Sequence, residues 1–287
     1  MENVNHPLSL RLQALYDLVP AGKKFCDVGT DHGWLPMNLV LDKKVPSAIA
    51  MDLREGPLNR AKEHIMEAGL EDLIETRLSD GLEQLHPGEA EVALISGMGG
   101  SVTLHILQSR REMVDSLEEI ILQPQSEIHQ VREYLHQEGF LFVDETMVEE
   151  DHKFYFLMKL LTPGEVKRRG LDQARKGDAS EESKDAKDAK DASLENPVNL
   201  QKFWQSQGLP MPMCLRLGFT FGPVLLMKRD KTLEKYLQHE LDVMQGIAAN
   251  LNQADIQDER IRERIKDLRN QQALTNLALQ IVRRDKE

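Results

Sequence analysis

Phe25-Cys26-Asp27-Val28-Gly29-Thr30-Asp31-His32-Gly33-Trp34-Leu35-Pro36 is the stretch whose reading decides the fold. A short apolar run carries an acid, a glycine turn follows, and a helix is expected on the far side. A Rossmann-like α/β fold offers its first strand and first loop to a nucleotide ligand in this way. The spacing departs from the dinucleotide fingerprint, because the second and third glycines of Gly-x-Gly-x-x-Gly are absent. A carboxylate, an imidazole and an indole crowd the turn instead. Diphosphate needs bare backbone N–H groups, whereas a cationic or neutral ligand tolerates carboxylates. The turn therefore points to S-adenosylmethionine rather than NAD.

Working outward, two more strands are expected to end in acids. Ser47-Ala48-Ile49-Ala50-Met51-Asp52 closes on Asp52, about 20 residues beyond the first loop, where Rossmann-type folds bind ribose hydroxyls. Ile74 to Gly81 alternates like a strand and ends in Asp80-Gly81. There a carboxylate can accept a hydrogen bond from an adenine amino group, and the glycine can leave room for the ring; an ordinary Asp-Gly turn is the competing reading. Val92-Ala93-Leu94-Ile95 is apolar throughout, as a central parallel strand should be. It empties into Ser96-Gly97-Met98-Gly99-Gly100-Ser101, which lacks the Asn/Asp-Pro-Pro-Tyr/Phe of many amine methylases. Its glycines imply that a flat group, or a backbone, comes close. The expected cofactor-binding residues are Asp27, Gly29, Asp31, His32, Asp52, Asp80, Gly81 and Met98.

The rest of the chain alternates in the same rhythm. Leu8, Leu12, Leu15 and Leu18 recur at helical spacing, with Arg11 on another face. Leu35–Leu41, Pro57–Ala68 and Ile128–Gln137 read as helices, and Glu119–Pro124 as a fifth strand. Phe140–Val143 and Lys153–Leu160 follow each other without a helix between them. That meander predicts an antiparallel hairpin closing the sheet of a class I methyltransferase rather than an all-parallel fold. A domain over 1–162 is expected, then a linker or insertion over 163–199 built around the Lys-Asp-Ala tract at 181–192, which has nothing to bury. A helical, coiled-coil-like domain over 200–287 completes the chain. Gly218 to Leu226 should turn into a new helix, and stripes at Leu233–Met244 and Ile261–Ile281 should form an antiparallel helix hairpin.

Composition narrows the classes. With 287 residues, 40% apolar and 29% charged, the chain suits one α/β domain and a smaller appendage. A net charge of -12 argues against a nucleic-acid footprint over the whole surface, though not against a local one. Arg260, Arg262, Arg264, Lys266 and Arg269 gather on one helix, interleaved with acids that can stitch them as i,i+4 pairs. Only Cys26 and Cys214 are present, without metal-ligand spacing, so no metal is expected, and Cys26 reads as a buried structural thiol. No apolar segment approaches a bilayer span and no apolar signal core opens the chain, so a cytoplasmic monomer away from membranes is expected.

Several blocks, taken together, resemble the bacterial tRNA (adenine-22-N1)-methyltransferases. They are Leu8-Ser9-Leu10-Arg11-Leu12, Asp27 to Pro36, Asp80-Gly81-Leu82-Glu83, Gly97-Met98-Gly99-Gly100, Leu122-Gln123-Pro124 and Phe221-Gly222-Pro223, in that order. The resemblance implies a class I S-adenosylmethionine-binding domain and a coiled-coil-like domain that helps hold tRNA. It also implies catalytic roles for Asp31 and for Arg11. The Lys-Asp-Ala tract stands as an insertion, and Gln125 stands where the family tends to carry asparagine. Methyl transfer to adenine N1 would need the Watson–Crick edge freed, with Trp34, Met98 and Tyr155 as candidate stacking surfaces. A catalytically inactive scaffold and a small-molecule or protein methyltransferase are the alternatives.

Overall fold

Short apolar runs alternating with amphipathic helices build a three-layer α/β unit, with helices covering both faces of one sheet. The computed structural model describes residues 7–171, 200–251 and 258–284. The Lys-Asp-Ala tract, the rest of the expected linker beyond Leu171 and the first six residues lie outside the described residues. In chain order the first unit runs α1 (Leu10–Leu18), β1 (Phe25–Val28), α2 (Trp34–Leu41), β2 (Ala48–Asp52), α3 (Glu55–Glu67), β3 (Ile74–Leu78) and β4 (Val92–Met98). It continues with α4 (Gly100–Ser109), α5 (Arg111–Ser116), β5 (Glu119–Pro124), α6 (Ile128–Gln137), β6 (Leu141–Glu150), β7 (Lys153–Leu161) and α7 (Pro163–Arg168).

The seven strands lie in the order β3-β2-β1-β4-β5-β7-β6. β3, β2, β1, β4 and β5 are parallel to their neighbours, and β7 enters antiparallel beside β5. This is the class I methyltransferase sheet that the helix-free meander predicted. β1 and β2 are buried at every position, which is why they read as continuous apolar runs rather than alternating ones. Cys26 sits wholly inside β1, and burial holds its thiol well above the usual range. The register aligns Phe25 with both Ala48 and Val92, so β1, β2 and β4 start side by side, and β4 runs on past the end of β1 to Met98.

α3 begins at Glu55, two residues before Pro57. Arg54 is still extended, and the Glu55 carboxylate favours the positive end of the helix dipole. Order also persists past Thr162, where the apolar pattern fades. Thr162 caps α7 by accepting Glu165 N–H and donates its hydroxyl to Leu117 O at 2.6 Å, while Val166 packs with Val143 and Leu161. An arginine–glutamate pair that sequence reading left unremarked, Arg132 Nε to Glu145 Oε1 at 2.9 Å, is fully buried between α6 and β6.

The second unit holds the hairpin tip Thr146–Phe154 together with α8 (Leu200–Ser206), α9 (Met211–Phe221), α10 (Pro223–Lys228), α11 (Lys231–Leu251) and α12 (Glu259–Arg283). The turn expected over Gly218–Leu226 is narrower: α9 runs through Phe221, and the break falls at Gly222-Pro223, where Pro223 opens the next helix. α11 and α12 form the antiparallel pair, since Arg283 near the end of α12 reaches Glu234 near the start of α11 at 2.9 Å. Leu233, Leu237, Leu241 and Met244 are buried on α11, and Leu268, Leu274 and Ile281 are buried on α12. The hairpin tip joins the same unit through Glu149, paired with Lys235 at 2.5 Å, and Phe154, edge-on to Tyr236.

Candidate functional site

Strand order reverses between β1 and β4, the place where open α/β sheets leave a crevice at their C-terminal ends. A cavity of about 740 Å³ lies there. Arg11, Asp27, Gly29, Asp31, Asp52, Asp80, Gly81 and Met98 all line it, drawn from segments more than eighty residues apart in sequence. His32 does not line it.

The carboxylates stand at graded depth. Asp27 is 5% exposed, and its carboxyl is pushed up to about 6, first by burial and further by the nearby charges of Asp52 and Asp31, while the Thr30 hydroxyl and, less strongly, the charge of Arg11 pull the other way. Asp52 is also buried and accepts the backbone N–H of Arg54 at 2.7 Å, which fixes its carboxylate at the end of β2. Asp31 is different: its side chain is 80% exposed at the rim, with Oδ1 3.3 Å from His32 Nε2. Asp80 is exposed after β3. A cavity with this charge pattern suits a ligand that brings positive charge near Asp27 and hydroxyls near Asp52.

The first loop is held by its backbone and its rings. Gly29 has φ +81°, a conformation that side chains rarely adopt, and both Gly29 and Thr30 donate N–H to Met51 O at 2.8 Å. His32 also adopts positive φ, and its carbonyl lies 2.9 Å from His64 Nδ1 on α3. A carbonyl only accepts, so Nδ1 carries the proton in this bond. The rings of Trp34 and His64 stack at 4.2 Å, with His32 stacked beside both. The imidazole crowding the turn thus clamps the loop to α3, while Trp34 also faces the cavity.

The second loop is shaped by close approach. A Cβ on Gly100 would lie 2.5 Å from Ser126 O and 2.8 Å from Glu127 Cβ, so at Gly100 it is a backbone that comes close, while Gly97 faces the cavity. Gly81 similarly makes room for protein: a Cβ there would lie 2.8 Å from Ile106 Cγ1. Gly97 N–H donates to Gln123 Oε1 at 3.1 Å, and the same oxygen accepts Arg11 Nη1 at 3.1 Å. Arg11 Cζ also stands 5.6 Å from the centre of the Tyr155 ring, so Tyr155 meets the arginine that lines the cavity.

Leu53, Val102 and His64 went unnoticed in the sequence. Leu53 and Val102 line the cavity and are 63% and 49% exposed, so apolar surface faces the ligand space. Leu53 had a usable signal, since it directly follows a strand-end acid. On α12, Arg260 bonds its own capping residue, Asp258, at 3.1 Å, and Arg262, Arg264, Lys266 and Arg269 are exposed. Among the described residues, no group of three or more His, Cys, Asp or Glu side chains could hold a metal ion, and no helix is long and apolar enough to cross a membrane.

A family described as a methyltransferase domain matches residues 8–158, more than half of the chain. The chain belongs to that family. The matched segment of this methyltransferase domain covers the strands that bound the cavity. The tRNA (adenine(22)-N(1))-methyltransferase of Bacillus subtilis strain 168 is 39% identical over 148 residues, 52% of this chain and 62% of that protein. The chain spans 62% of the length of the curated relatives it matches. Among solved structures, the B. subtilis M1A22 tRNA methyltransferase is 28% identical with a TM-score of 0.69, covering 95% of this chain and 99% of that one. A Mycoplasma capricolum structure in complex with S-adenosyl-homocysteine shares the fold, at 21% identity and a TM-score of 0.69, over 97% of this chain and 100% of that one.

Proposed function

We propose that this methyltransferase domain transfers a methyl group from S-adenosylmethionine to N1 of adenine 22 in the D-arm of tRNA. One observation carries the reading: three strand-end acids, Asp27, Asp52 and Asp80, converge with the exposed Asp31 on a single cavity at the strand-order reversal. The likeness to the B. subtilis enzyme supports the choice of adenine and position.

The residues fit the cofactor. The cavity is large enough for a nucleoside with an amino-acid tail, the usual scale of small-molecule sites being about 300–1,000 Å³. Asp52 would hold the ribose hydroxyls, Asp80 the adenine amino group, and Leu53 an apolar face of the ring. Asp27 and the turn at Gly29 would receive the cationic tail, and a cation there would draw Asp27 back to its ionised form. Bound S-adenosylmethionine supplies a methyl group on an electron-poor sulfonium. The acceptor N1 is neutral and carries a lone pair, so no residue has to remove a proton before attack. What the chain supplies is alignment, worth about 7–11 kcal/mol in well-oriented cases. Asp31 would face the charge that appears on the adenine ring, and Arg11 would orient the acceptor against Trp34 and Met98. N1 lies on the Watson–Crick edge, so the base must leave its stack to reach this rim.

The helical unit would hold tRNA, with the exposed arginines of α12 as candidate phosphate contacts. We take the chain to act as a monomer, and a tRNA substrate supports a cytoplasmic setting. We also take 1–162 as the catalytic domain and 200–287 as the tRNA-holding domain. Labelled S-adenosylmethionine and a tRNA transcript, followed by reverse transcription, test the reading. A stop at position 22 that vanishes in an A22G transcript is expected. Cofactor binding without transfer to any tRNA would instead mark an inactive scaffold, and transfer to protein or small molecules would mark the other alternative.

A further inference from the structure

Gln123 is a fully buried carboxamide near the end of β5, outside the cavity lining. Its single Oε1 accepts from two partners that do line the cavity: Arg11 Nη1, 112 positions away on α1, and the backbone N–H of Gly97 near the end of β4, each at 3.1 Å. Its Nε2 points back to Pro124 O at 3.5 Å, which orients the amide so that oxygen faces both donors. Tyr155 approaches the guanidinium from another direction. A lone arginine has many rotamers; one bonded to a buried group that also bonds the glycine loop has few.

We propose that Gln123 is a positioning residue that sets Arg11 and the Gly97 peptide in register on the acceptor side of the cavity. The proposal rests on the methyl-transfer reading above. A neutral amide suits the task better than a carboxylate. It fixes the guanidinium without cancelling its charge, and that charge opposes the upward push on the Asp27 carboxyl. A glutamate here would keep an acceptor for both donors but add a negative charge behind a cavity already lined by four aspartates.

The test is a double-mutant cycle in the full-length protein, measuring kcat, KM for tRNA and for S-adenosylmethionine, and the unfolding midpoint. Gln123→Met keeps the shape and removes the acceptor. It is expected to lower kcat by about 100-fold, the scale of a misplacement near 1 Å, with KM for the cofactor little changed. Gln123→Glu keeps the acceptor and is expected to recover part of that loss. Arg11→Ala combined with Gln123→Met should be no slower than Arg11→Ala alone, because one residue acts through the other. Wild-type kcat in folded Gln123→Met, or losses that multiply in the double variant, would overturn the positioning role. If the wild-type chain methylated no tRNA, the functional reading would fail on its own. The same cycle would then be read in the unfolding midpoint, where strictly additive changes would likewise overturn the coupling.

Discussion

The loops after β1 and β4 leave neighbouring parallel strands at the same end of the sheet, yet they are built on opposite logic. The β1 loop is rich in side chains: Asp31 at the rim, with His32 and Trp34 stacked on His64 of α3. The β4 loop is nearly bare, and Gly100 lets the Ser126 backbone press against it. One loop presents charge on a braced turn, and the other makes space. Substitutions in the first should therefore strike activity while sparing stability, and substitutions in the second should do the reverse.

Asp31→Asn is the strongest way to break that contrast. If Asp31 faces the developing cation as proposed, loss of its charge should slow methyl transfer by about 100- to 1,000-fold. An exposed position should leave stability within about 0.5 kcal/mol, so an unfolding curve and a single-turnover assay on the same sample decide it. A large loss of stability would erase the distinction between the loops.

Asp27, just before the first loop, should show its strain in pH. Its folded pKa of about 6 lies above the ordinary 3.8, so the folded protein binds this proton more tightly than the unfolded chain does. Stability from this group is full below about pH 4 and is lost as pH rises through about 6, by about 3 kcal/mol in all. Asp27→Asn should thus unfold at a higher denaturant concentration than the wild type at pH 7.5, flatten the slope between pH 4 and 6, and weaken cofactor binding. An unchanged slope would assign the pH dependence elsewhere.

Gly100→Ala tests the second loop. With Ser126 O only 2.5 Å from the added methyl, the backbone has to shift, at a cost of about 1–3 kcal/mol read in a urea titration. His64→Ala should cost less, about 1 kcal/mol for one hydrogen bond and its stack, together with a modest fall in kcat. If His64→Ala proved the more destabilising of the two, the braced loop would be the structural one and the contrast would invert.

Strand-end acids were legible because a carboxylate closing an apolar run has few structural reasons to be there. Asp27, Asp52 and Asp80 reach one cavity for that reason, and sheet order followed from the missing helix before β7. His32 was not legible in the same way, since adjacency within a loop does not say which side of the turn a ring takes; its contact with His64 depends on α3. Gly81 was read as space for a ligand ring, and what its sequence could not show is that Ile106, twenty-five residues on, also leaves no room for a side chain there. The buried Arg132–Glu145 pair and the Gln123–Arg11 bond join residues whose sequence neighbours give no hint of a partner. Those depend on packing, and packing is set by the whole fold.

The tip Thr146–Phe154 has a further consequence for how such a chain can change over time. Because the sheet's last hairpin lends its tip to the helical unit, the backbone passes between the two units three times: around 145, around 154 and before α8. A unit entered once can be lost, swapped or fused by a single break in the gene. This one cannot, since removing the helices after residue 199 would strip Phe154 of Tyr236 and Glu149 of Lys235. The seven-stranded sheet and its helical companion are therefore inherited as one piece.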